Sequence, residues 1–150
     1  MLLASVDDLR GLREGLRQLA RANNHQDPDQ SVLDDAAQTL AANPLTLRLG
    51  AAGVTPGLDA TSQGPGARLL AAAAAAYLAE SAAGTWGRIK ACASPTCQYA
   101  FVDTSRNASR RWCDMSGCGN QAKQRSYRQR RSRPTTKPGA FTRGRERHRG

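Results

Sequence analysis

The stretch Cys92-Ala-Ser-Pro-Thr-Cys97-Gln-Tyr-Ala-Phe-Val-Asp-Thr-Ser-Arg-Asn-Ala-Ser-Arg-Arg-Trp-Cys113-Asp-Met-Ser-Gly-Cys118 holds all four cysteines of the chain. They fall as C-x4-C-x15-C-x4-C, two pairs of equal inner spacing across a short loop. A Zn2+ ion takes four soft or borderline ligands in a tetrahedron, and thiolates on two close-set pairs supply them. Unrelated free thiols or two disulfides are the alternatives, and the basic sequence that follows favours the metal. Cys92, Cys97, Cys113 and Cys118 therefore read as one closed structural zinc site.

Around these ligands the sequence suggests a small module. Arg88-Ile-Lys90 leads in as a short strand, Pro95 makes the knuckle turn, and Tyr99 to Val102 return as a second strand. Tyr99, Phe101 and Trp112 are expected to form the small core beside the ion, with base stacking as their rival use. Asp103 is placed to bond local amides or to pair with Arg106, Arg110 or Arg111. From about Met115 the chain should turn helical, until Pro134 stops it.

Winding residues 120–131 at 3.6 per turn gathers Ala122, Ser126 and Gln129 on one narrow strip. Such a strip is expected to lie on the knuckle. Lys123, Arg125, Arg128, Arg130 and Arg131 take the wide remainder, and Asn120 and Gln124 share a sector with Tyr127. Arg binds phosphate, whereas Asn and Gln can bond adenine bidentately. The expected DNA contacts are Arg106, Arg110, Arg111, Asn120, Lys123, Gln124, Arg125, Arg128 and Arg131, with RNA as the alternative partner.

The charge is divided along the chain. Residues 1–84 carry 6 Lys and Arg against 9 Asp and Glu, net −3; residues 85–150 carry 16 against 3, net +13. A polyanion is thus the natural partner of the second half only. Toward the N-terminus, Leu9, Leu12, Leu16, Leu19 and Ala20 mark an amphipathic helix over 6–24, with Ser5 and Asp8 as a capping box. Arg10, Arg13, Arg17 and Arg21 read as a solvated face of it. Asn23 to Pro28 is a turn. Asp29 or Ser31 caps a second helix, about 32–42, that Asn43-Pro44 ends. Leu45 to Gly50 alternates as a strand with Leu45, Leu47 and Leu49 inward, and a partner near Val54 or Leu58 would make a hairpin. An alanine-rich third helix spans 67–83, and Ser81 to Gly87 is expected to be a hinge.

The expectation is an α+β chain. A mainly helical α/β domain with a small strand pair (1–84) precedes a four-cysteine finger of short hairpin and basic helix (88–131) and a disordered basic tail (132–150). Enzyme chemistry is not expected. Four thiolates would close the metal shell, and the two histidines, His25 and His148, lie outside the finger. The longest apolar run, Leu69 to Ala79, falls short of the roughly 20 residues a membrane span needs. With no visible signal peptide and clustered thiols, a soluble, cytoplasmic protein is expected.

Phe101-Val-Asp-Thr-Ser-Arg-Asn-Ala-Ser-Arg-Arg-Trp-Cys-Asp-Met-Ser-Gly-Cys-Gly-Asn-Gln-Ala-Lys123 closely resembles the CGNR-type zinc finger. That family is marked by an Asp-Thr-Ser-(Arg/Lys)-Asn loop, an Arg-Arg-Trp-Cys-x-Met segment and a Cys-Gly-Asn-Arg signature. The resemblance covers about 88–131 and implies Zn2+ on the four cysteines and a DNA-binding role. Gln121 stands where the signature has Arg; if that Arg touches phosphate, one contact is lost here, with the neighbouring cations available to compensate. In element order and in its alanine-rich helix, the N-terminal half is similar to the ABATE domain, a stress-induced transcription regulator domain of bacteria. Members of that family carry an extra strand upstream, so the resemblance implies either a truncated chain or a start assigned too far downstream. The resemblance implies a DNA-binding regulator, with an N-terminal domain expected to sense a ligand or form a homodimer.

Overall fold

A computed structural model describes residues 4–51, 53 and 56–132 of the protein. The expectations for Val54, Pro134, His148 and all but the first residue of the basic tail fall outside the described residues. Among the described residues the architecture is α+β, with four α-helices and two separate antiparallel strand pairs.

Helix α1 (Val6–Ala22) opens on the capping box read from the sequence. The Asp8 amide donates to Ser5 Oγ at 3.1 Å, and the Ser5 amide donates back to the Asp8 carboxylate at 2.6 Å, so two otherwise orphaned donors are satisfied. Asp29 caps α2 (Gln30–Ala42) by accepting from the Ser31 amide at 3.0 Å. The two helices meet where side chains are smallest: a Cβ added at Gly15 would lie 2.3 Å from Ala36 Cβ. Gly15→Val should therefore overpack this crossing and lower stability by about 1–3 kcal/mol. Thermal unfolding of the variant against the parent checks this, and an unchanged midpoint would refute the close crossing.

Strands β1 (Leu45–Arg48) and β2 (Gly57–Ala60) form the hairpin, with Leu45 opposite Ala60 and Leu47 opposite Leu58. The expected inward row holds only at its start. Leu45 is half-buried, but Leu47 is 67% and Leu49 79% exposed. A two-stranded ribbon with no further strand beside it lays just its near end against the helices. Helix α3 (Pro65–Ala82) buries Ala67, Leu70, Ala71 and Ala74, a single stripe at helical spacing.

The segment read as a hinge is braced instead. The Thr85 amide donates to Glu80 O at 2.9 Å, and the Trp86 ring stands edge-on to Tyr77, centroids 4.8 Å apart. Beyond it, β3 (Ile89–Ala91) and β4 (Ala100–Val102) pair from Ile89↔Val102 to Ala91↔Ala100, and α1 packs along β3. One wide π-type turn, Met115–Gly119, runs directly into α4 (Asn120–Ser132). No helix among the described residues is long and apolar enough to cross a membrane.

Candidate metal centre and basic arm

Each cysteine is set by a local backbone device. Cys92 directly follows β3, and its amide donates to Tyr99 O at 2.9 Å, extending the hairpin by one bond. Ser94-Pro95-Thr96-Cys97 is a β-turn closed by the Cys97 amide on Ser94 O at 3.0 Å, with proline at the position that suits its fixed φ. Gln98 follows in the left-handed region at φ 51°. Cys113 precedes the last helical segment and Cys118 sits inside the π-type turn. That turn is capped by Asp114, whose carboxylate accepts from the Gly117 amide and from Ser116 Oγ, both at 2.6 Å.

The four Sγ atoms all lie within 4.8 Å of one another. Cys97 and Cys113 Sγ are 3.6 Å apart, and Cys113 and Cys118 Sγ 3.8 Å. Disulfide sulfurs sit at roughly 2.05 Å, so these are not bridges. A tetrahedron with Zn–S near 2.3 Å has S···S edges of about 3.8 Å, which the observed separations match. The donor set therefore fits a metal ion, most suitably Zn2+, with a closed four-thiolate shell. Cys92 is fully buried and the other three are half-buried. Burial, and then the sulfurs of Cys97, Cys92 and Cys118, push the Cys113 thiol up to about 12. Four thiolates cannot share this space without a cation.

The interior of the module is polar, which the sequence did not reveal. Asp103 and Lys90 are both buried, with Lys90 Nζ 2.8 Å from Asp103 Oδ2. Asp103 also accepts from the Ser105 amide (2.9 Å), Ser105 Oγ (2.6 Å) and the Arg110 amide (2.9 Å). Lys90 Nζ donates further to Ala108 O at 2.5 Å and Arg110 O at 3.3 Å. Burial pushes the Asp103 carboxyl up. The Lys90 ammonium and the Ser105 and Arg110 donors outweigh this and hold it well below the usual carboxylate range. The ion-pair partner of Asp103 is thus Lys90, and Arg110 reaches it through its backbone amide; no guanidinium among the described residues pairs with it.

The aromatic core expected beside the metal does not form. Tyr99 is 66% exposed, Phe101 is half-buried beneath the Arg110 guanidinium (5.0 Å), and the Arg111 guanidinium lies over Trp112 (5.8 Å). Tyr99 faces solvent, two guanidinium groups cover the other rings, and the buried Lys90–Asp103 pair takes the interior.

The expected contact residues separate into braced and free groups. Arg110 donates to the carbonyls of Trp112 and Cys113, and Asn120 Nδ2 donates to Ser116 O at 3.0 Å. Arg106 is exposed at the tip of the Asp103–Arg110 loop, and Arg111 is exposed beside the knuckle. Lys123, Gln124, Arg125 and Arg128 are exposed, their side chains with no hydrogen bond or ion pair among the described residues, and Arg131 lies over the Tyr127 ring at 5.7 Å. Gln121 is exposed as well. The small-residue strip does not lie on the knuckle. Ala122 is half-buried, whereas Ser126 and Gln129 are exposed, and Ser126 Oγ turns back onto Ala122 O at 3.0 Å. A straight helix leaves so small a knuckle after one turn, so α4 projects as an arm with five cations and no acid.

The two halves are joined by side chains that the sequence reading passed over as a turn and a solvated face. Asn23 Nδ2 donates to Trp86 O and Ile89 O, both at 2.9 Å, and Gln26 Nε2 to Ala91 O at 3.1 Å. Arg17 Nη1 donates to Gln98 O at 3.2 Å. His25 is an exposed loop residue at φ 56°.

Residues 88–131 match the family model of the CGNR zinc finger. Comparison with curated proteins found no match.

Proposed function

We propose that this protein is a zinc-dependent DNA-binding regulator, non-enzymatic, in which the four-cysteine centre is a scaffold for a basic arm. The observation that carries the reading is α4. Its five cations have no acidic partner on the helix, and Asn120, Gln124, Tyr127, Arg128 and Arg131 fall in one sector. An isolated 13-residue helix of like charges is poorly stabilised in water, and phosphates on one side would relieve its repulsion. Arg111 and Arg106 add exposed charge beside the knuckle. A shell of four thiolates leaves no open position on the metal, which supports a structural role over catalysis. Reduced thiols suit a cytoplasmic setting.

The N-terminal half, read as ABATE-like, would sense a ligand or dimerise. In support, α1, α2, α3 and the hairpin line an open apolar groove of about 450 Å3, with Leu12, Leu16, Leu33, Leu58 and Tyr77 among its walls and no charged side chain. That volume suits a small apolar effector.

Selection of bound duplexes from a random pool by the zinc-loaded protein tests the reading, and palindromic winners would report a homodimer. Arg128→Ala should weaken duplex binding modestly and lower the salt slope by about 1. An unchanged slope removes Arg128 from the phosphate-contacting set. The exposed Tyr99 ring favours a second reading, RNA or single strands stacked on aromatic groups. Clear preference for structured RNA over every duplex would replace the first reading by the second.

A further inference from the structure

Asn24 belongs to no motif, yet it is completely buried between the two halves of the molecule. Its Nδ2 donates to Ala91 O at 2.7 Å and to Arg111 O at 2.8 Å. Its Oδ1 is buried without a partner. The amide orientation follows from the acceptors: turned over, an oxygen would face two carbonyl oxygens. Both side-chain N–H groups of Asn24 are thus committed to the finger's main chain. One acceptor lies on the strand leading to Cys92, the other in the segment leading to Cys113. The Ala93 amide donates to the same Arg111 carbonyl at 2.9 Å, so the backbone at Arg111 is held from both sides.

The end of α1 aims this side chain. Gln26 N donates to Arg21 O at 3.1 Å and His25 N to Ala22 O at 3.0 Å, the paired bonds of a Schellman motif, with His25 in the left-handed position. The tight reversal directs Asn23, Asn24 and Gln26 together onto β3 and its surroundings. The Arg111 side chain meanwhile is exposed.

We infer that Asn24 is a positioning residue for Arg111: it fixes the Arg111 backbone so that the guanidinium is presented to a phosphate of bound DNA. The N-terminal half thereby sets part of the finger's binding face. This rests on the DNA-binding reading above.

A double-mutant cycle in the full-length, zinc-loaded protein tests it, using a fixed mixed-sequence duplex as probe. Asn24→Ala and Arg111→Ala should weaken binding to a similar extent, each lowering the salt slope by about 1. The double variant should lose little more than either single one. Zinc stoichiometry should stay the same, and hydrogen exchange at the Ala93 amide should quicken in Asn24→Ala. Additive losses in the cycle, or a wild-type slope in Asn24→Ala, would overturn the positioning role while leaving the DNA reading intact. Failure of the parent protein to bind any duplex would instead remove the DNA reading, and the inference with it. If Asn24→Ala fails to fold, Asn24→Ser, which keeps one donor, takes its place. Unaltered affinity and slope in that variant would equally overturn the inference.

Discussion

Cys113→Ser, or removal of the metal by a chelator, should unfold the region from β3 through α4 and abolish nucleic-acid binding. Within that region Ala91 and Cys92 are the only fully buried apolar residues among those described. Hydrophobic burial so small cannot by itself offset the conformational entropy lost in ordering the region. Structural zinc contributes about 10–16 kcal/mol in small modules of this kind, and that binding energy is folding energy. Cys113 is the informative ligand because its Sγ is close to both Cys97 and Cys118. Loss of helicity by circular dichroism, together with loss of one equivalent of bound zinc, is the expected result. Native helicity in Cys113→Ser under chelator would refute the metal centre.

Acid should act on the same centre. Burial and the neighbouring sulfurs push the Cys113 thiol up to about 12 before metal is bound. At neutral pH, zinc must therefore displace thiol protons, and its apparent affinity should fall as pH is lowered. Because Asn23 and Asn24 tie the end of α1 to β3, zinc loss should also lower the thermal midpoint of the N-terminal half.

What the sequence disclosed follows from the range over which each feature is encoded. The ligand set was legible because four cysteines at two equal spacings need no tertiary information. The helices α1 and α2 were legible because Ser5 with Asp8, Asp29 and the leucine periodicity are local signals. The alternation in Leu45 to Leu49 announced a strand but not its surroundings, so it could not tell that Leu47 and Leu49 would face solvent. Lys90 looked like one more cation in a basic region. Its burial depends on Asp103, thirteen residues away across the β3–β4 hairpin. Asn23 and Asn24 are common turn residues, and nothing nearby in sequence shows that their amides bond main chain more than sixty positions further on. The small-residue strip on α4 was read correctly as a strip, but a helical wheel does not say how far a neighbour extends.

Asp103→Ala should destabilise the zinc-loaded protein by about 3–5 kcal/mol, the loss typical when one member of a buried ion pair is removed. The substitution leaves the Lys90 ammonium buried with only the carbonyls of Ala108 and Arg110 as acceptors. It also frees the Ser105 and Arg110 amides, so the whole loop from Asp103 to Arg110 loses its anchor. Asp103→Asn retains the shape and should cost less. Replacing both partners, Lys90→Met with Asp103→Leu, should recover much of the loss, since an apolar pair carries no desolvation penalty. The pH dependence has a definite sign. The folded carboxyl is held below its unfolded value, near 3.9, so its stabilisation is complete above that value. It is then lost as pH falls through the lower, folded value, an acid transition that Asp103→Asn should lack. Denaturant unfolding of the zinc-loaded parent and variants checks these statements. An Asp103→Ala midpoint equal to the parent's would show that the pair is solvated in solution. A double variant no more stable than Asp103→Ala would show that the loop depends on the carboxylate's bonds to Ser105 and Arg110 more than on its neutralisation of Lys90.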